Sequence, residues 1–159
     1  MILSLHTTAG AVLASNCGNI WQVILLGIVS HYFLDSLPHV EYKIKNIQTG
    51  NLKKAAKEFV KIFIDLSIGL IIILYLIKNK SFDRSVLILI GSFFALIPDG
   101  LLFLDCCVKN KDKNIITKFL KIHSNFHEKT HSKNTSFKAQ MISQTAVILT
   151  LLFLFFNKF

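Results

Sequence analysis

Charged residues are scarce: they make up 17% of the 159 residues, against 52% hydrophobic. A soluble globular chain carries roughly 25% charged residues. A domain of this size has too little interior to hide that much apolar surface from water. Intrinsic disorder is excluded for the same reason. Cysteine is limited to Cys17, Cys106 and Cys107, which gives no even framework for a disulfide scaffold. Cys106 and Cys107 are adjacent and do not form an ordinary metal or redox pair. Arginine is almost missing: Arg84 is the single one among 18 basic residues, so lysine carries the net charge of +9. Readers of bases and phosphates lean on bidentate arginine. No helix-turn-helix, zinc-finger or RNA-binding signature is present, so nucleic acid is not an expected partner. No G-x-S-x-G elbow occurs, and no glycine loop that would cradle a phosphate.

What the chain has is long apolar runs, at residues 20–37, 59–77, 86–104 and 139–156. Each matches the roughly 17–25 residues that a bilayer core requires. A fifth, shorter run at residues 2–14 is rich in small residues (Ala9, Gly10, Ala11, Ala14) and suits close helix packing. Asn16, Cys17, Gly18 and Asn19 form a turn after it. The first basic residue is Lys43, so the opening run lacks the positive flank of a secretory signal. The expected fold is an all-α, polytopic membrane bundle of about five helices in one transmembrane domain over residues 1–159. An interfacial amphipathic helix is expected at residues 115–130, with Ile115, Ile116, Phe119, Leu120, Ile122 and Phe126 dipping into lipid.

The lysines indicate an orientation. One connecting segment carries Lys43, Lys45, Lys53, Lys54, Lys57 and Lys61, and residues 109–138 carry a second such group. The connection between the middle runs has only Lys78, Lys80 and Arg84. Two crossings separate the rich segments, so both lie on one side, and that side is expected to be cytoplasmic. This topology brings every histidine, and the acids within or bordering the apolar runs apart from Asp83, to one membrane face. Ionisable residues at membrane depth are costly and face a protein interior or a wet cavity.

The densest motif runs from Ser30 to His39 (SHYFLDSLPH). His31 and Asp35 are four apart and share a helix face. That spacing lets both bind one cation, or lets Asp35 orient the imidazole. Pro38 is expected to end the helix, which places His39 less securely on the same face. Asp65 lies in an apolar helix, with a snorkelling Lys61 as its plain alternative partner. Asp99 follows Pro98, where the helix is expected to break and free a carbonyl; a kink with a capping carboxylate is the plain alternative. His123, His127 and His131 recur every four residues, as a helical stripe or as exposed loop residues. Gly27 and Gly91 each precede an aspartate by eight residues, a spacing that hints weakly at duplication.

With His6, the SHYFLDSLPH run, Leu96–Asp99 (LIPD) and Asn125–His127 (NFH), the chain resembles a group of small bacterial membrane proteins. These are the membrane-bound metal-dependent hydrolases of the YdjM-like inner-membrane type. The matching positions are His6, His31, Asp35, His39, Asp65, Asp99, His127 and Gln144, spread over almost the whole chain. Glu128 stands where the group often has a second histidine, and His127–Ser132 is one residue shorter than the group's H-R-G-x-T-H-S run. The choice between His127 and His131 therefore stays open. The helical His/Asp set is also similar to that of the all-helical zinc phospholipases C and nucleases, by analogy alone.

The resemblance implies a multi-pass protein of the bacterial inner membrane whose site faces the cytoplasm. His6, His31, Asp35, His39 and His127 are expected to bind a divalent metal, zinc, as one ion or two. Asp65 and Asp99 are the expected catalytic carboxylates, as general base or as ligands of a second ion. The expected substrate is a membrane lipid or other amphiphile with a phosphoester or similar bond, cleaved by metal-activated water. The alternatives are a non-catalytic metal-binding or transport protein and a membrane scaffold whose polar cluster only satisfies itself. Outer halves that are almost purely apolar argue against transport.

Overall fold

The computed structural model describes residues 2–40, 45–48, 52–107, 118, 121 and 136–156. These residues contain helices and no strand: α1 (Leu3–Ala14), α2 (Ile20–Ser36), α3 (Lys45–Gln48), α4 (Leu52–Ile77), α5 (Phe82–Cys107) and α6 (Phe137–Phe156). The expected all-helical bundle is what forms. The expected interfacial helix at 115–130 lies outside the described residues, apart from positions 118 and 121.

Three segments are long and apolar enough to cross a membrane: Lys53–Ile77, Phe82–Leu104 and Phe137–Phe156. Helix α4 begins at Leu52, not at the start of its apolar run. Its first turns carry Lys53, Lys54 and Lys57 on exposed positions, so the helix continues past the apolar zone. Asp65 consequently lies near the middle of α4. The apolar helices α1 and α2 are shorter. At 1.5 Å per residue, the 12 residues of α1 span about 18 Å, short of a bilayer core of about 30 Å.

α1 is not lipid-facing at all. It packs on α2, α4, α5 and α6, and nearly every one of its residues is buried. Its small side chains allow this. A Cβ on Gly91 would come within 2.6 Å of both the Ala14 Cβ and the Gly10 carbonyl. A Cβ on Gly27 would come within 2.9 Å of the Gly91 carbonyl. Gly91 is thus the point where α1, α2 and α5 touch through backbone, as small residues permit inside membranes. The matched spacing of Gly27 and Gly91 reflects this packing of two helices on one another.

Local chemistry sets the ends of the α1–α2 hairpin. The Asn19 side chain accepts from the Trp21 amide at 2.8 Å and caps α2. Leu37 is extended (ψ 146°) ahead of Pro38, and α2 stops at Ser36 as expected. Arg84, in the first turn of α5, donates to the Ser15 and Cys17 carbonyls. The tip of the hairpin is thereby tied to the end of the bundle where α4 turns into α5. The start of α1, the end of α2, α3 and the start of α4 lie at the other end.

Outside, the bundle is greasy. Trp21, Leu25, Val29 and Phe33 form an exposed i, i+4 stripe along α2, and α6 exposes apolar side chains on most of its surface. Inside lie Ser4, His6, Thr7, Thr8, Ser30, His31, Asp35, Asp65 and Ser92. Polar within and apolar without is the arrangement that lipid selects. Gly91→Ala should destabilise the protein by about 1–3 kcal/mol, the usual range for overpacking. Gly18→Ala should be neutral, since a Cβ there meets nothing within 4 Å. Thermal unfolding of the detergent-solubilised variants measures both.

Candidate metal centre

Most buried hydroxyls need no functional account. Thr7 and Thr8 donate to the Ser4 carbonyl, Ser30 to Gly27 and Ser92 to Ile88. These are back-bonds along the same helix. The imidazoles and carboxylates remain, and they come from three helices.

His31 and Asp35 share a face of α2, as their spacing predicts, with Nε2 and Oδ2 3.0 Å apart. α1 brings His6 alongside: its ring stacks on His31 with centroids 4.2 Å apart, and its Nε2 lies 3.3 Å from Asp35 Oδ1. The carboxylate of Asp35 is therefore shared between two imidazoles, one at each oxygen. Asp99 approaches from α5, with Oδ1 3.8 Å from His31 Nε2.

His31 Nδ1 lies 2.8 Å from the Ala95 carbonyl. A carbonyl only accepts, so the ring hydrogen is on Nδ1. Pro98 lies three residues further along α5. It cannot return an N–H to Phe94, and its ring crowds the preceding turn. Helix α5 nonetheless continues through Pro98 to Cys107, which corrects the expected break: a proline inside a membrane helix is tolerated. With its hydrogen on Nδ1, a neutral His31 presents the Nε2 lone pair to two carboxylates. The imidazole and the two carboxylates converge on one point, which a proton on Nε2 or a metal ion can occupy.

No protein-family model matches this chain, and no curated protein or solved structure matches it. The donor set itself is informative. One nitrogen each of His6 and His31 and one Asp99 oxygen all lie within 4.8 Å of one another, a group that can hold a metal ion. A ligating histidine usually gives its other ring N–H to a backbone carbonyl or carboxylate, which is what His31 does with Ala95. His6 Nδ1 has no hydrogen-bond partner among the described residues, although the side chain is 0% exposed, while its Nε2 faces Asp35 Oδ1. A buried polar group left in this state needs an explanation such as an ion.

The structure distributes the sequence candidates as follows. His6, His31 and Asp99 form the ligand group, and Asp35 lies against both imidazoles. His39 is buried, with Nδ1 2.7 Å from the Leu37 carbonyl, and is not part of that group. His127 lies outside the described residues. Asp65 accepts from the Leu3 amide at 2.6 Å and the Ser4 amide at 3.3 Å, so it caps α1 from a neighbouring helix. Gln144 accepts from the Val40 amide at 3.2 Å and ties α6 to the segment carrying His39.

Two supporting residues escaped the sequence reading. Glu58 accepts from the Asn46 and Ile47 amides and holds α3 on α4; Arg84 holds the hairpin tip. A signal for the role of Asp65 was available. Ile2, at the N-cap of α1, offers no side-chain acceptor, and free amides in apolar surroundings require one from elsewhere. Asp35→Ala should cost about 1–3 kcal/mol, the range for leaving a buried polar group without its partner. Denaturant unfolding of chelator-treated protein measures it, and an unchanged midpoint would show that the imidazoles do not depend on Asp35.

Proposed function

We propose that this chain is a membrane-embedded, metal-dependent hydrolase with a single centre built from His6, His31 and Asp99. The observation that carries this reading is the convergence of His6, His31 and Asp99 donor atoms within 4.8 Å of one another, with His31 Nδ1 against the Ala95 carbonyl and its Nε2 facing two carboxylates. Two imidazoles and a carboxylate suit zinc and leave room for water. When bound there, zinc acidifies water toward a pKa of ~7 and supplies a nucleophile at neutral pH.

The residues divide the work. His6 and His31 are sealed at 0% exposure, whereas Asp99 is 26% exposed. Substrate therefore approaches on the Asp99 side, and both imidazoles are shielded from bulk water. Asp35 keeps the two rings in register through one oxygen each. The resemblance to the membrane-bound metal-dependent hydrolases supports the same reaction class. The lysine-rich connections support an orientation with this end of the bundle at the cytoplasmic face, in a bacterial inner membrane. A site within a lipid-facing bundle favours an amphiphile, such as a phospholipid or an isoprenoid phosphate.

A second reading has one observation in its favour. Asp65, one of two carboxylates expected to be catalytic, is engaged in capping α1, as it would be in a scaffold or a non-catalytic metal-binding protein. Elemental analysis and turnover separate the two. The hydrolase should purify from detergent with stoichiometric zinc, manganese or iron. It should release phosphate or headgroup from an amphiphilic phosphoester in mixed micelles, and His31→Ala should lose both metal and turnover. Protein that is metal-free, folded and active overturns the metal reading; metal-loaded protein without turnover on such substrates favours the second.

A further inference from the structure

We infer that Asp65 is a positioning residue for the metal centre: it sets the height and rotation of α1, and through them the place of His6. This deepens the metal reading and rests on it. The first turn of α1 is seated on one stretch of α4. The Asp65 oxygens take the Leu3 and Ser4 amides. One turn further along α4, Gly69 lies under the same turn of α1, where an added Cβ would come within 3.2 Å of the Ser4 Cα and collide with the Thr7 hydroxyl. His6 follows Leu3 by one helical turn, so a shift of these amides is transmitted to its ring without an intervening joint. The helix has no cap of its own to hold that turn in place. Ligand orientation by groups that do not themselves touch the metal commonly governs affinity about ten- to hundredfold.

The test compares Asp65→Ala, Asp65→Asn and Leu3→Pro in the full-length, detergent-solubilised protein. Zinc affinity is measured by competition with a chelator, and amide hydrogen exchange is followed in the first turn of α1. Asp65→Ala should weaken zinc binding by about tenfold or more and speed exchange at that turn. Asp65→Asn should stay within about threefold of wild type, because asparagine matches aspartate as a helix cap. Leu3→Pro removes the donor of the shorter bond at the first helical position, which tolerates proline. Ile2 before it is already extended, at φ −71° and ψ 142°, as a residue preceding proline prefers. This variant should weaken zinc binding as Asp65→Ala does, and the two should not add when combined. It also keeps the test decisive if Asp65→Ala does not fold. Unchanged zinc affinity in Asp65→Ala or Leu3→Pro overturns the inference and leaves the metal reading standing. Asparagine as damaging as alanine also overturns it, because Asp65 would then act as ligand or base. Wild-type protein that binds no zinc overturns the metal reading itself, and the inference with it.

Discussion

A short helix lies inside a bundle whose exterior is apolar, and its first amides have no acceptor in their own segment. The remaining organisation follows from how that debt is met. In water the amides of Leu3 and Ser4 would bond to solvent; within a greasy bundle they need a fixed partner. Asp65 supplies it from α4. The same contact that satisfies the backbone also fixes α1, and α1 carries His6. Stability and site geometry therefore depend on one carboxylate, although that carboxylate is not part of the ligand group.

The opposite side of α1 is fixed by shape. Gly10, Gly27 and Gly91 let three backbones approach closely enough that no Cβ fits between them. Dispersion and exclusion of side chains hold such contacts, since lipid offers no hydrophobic drive between helices. One consequence is chemical. Close packing of α2 on α5 brings His31 to the Ala95 carbonyl, next to the turn that Pro98 disturbs.

Much of this was legible in the residues. Composition and run lengths give a helical membrane bundle, and the four-residue spacing gives the His31–Asp35 pair. The small-residue run gives the close packing of α1, and the lysine distribution brings His6, Asp35 and Asp99 to one end. The role of Asp65 was harder to read. Its neighbours in sequence offer Lys61 as a partner, and its true partners are backbone amides more than sixty residues away. Helix α5 running through Pro98 was equally hidden, because local propensity predicts a break and tertiary contacts override it. Gly27 and Gly91 resembled a repeat and are a packing contact.

The sequence by itself determined which residues can coexist with lipid, and therefore where helices run and which polar groups must turn inward. That is a property of composition and period, which each segment carries alone. Only the tertiary structure decided which inward-facing group does what: Asp65 to the amides of α1, Asp35 between two imidazoles, Asp99 with His6 and His31. Those roles depend on distances of about 3–4 Å between segments far apart in the chain. Such distances are set by how the backbones pack against one another, and no segment encodes them alone.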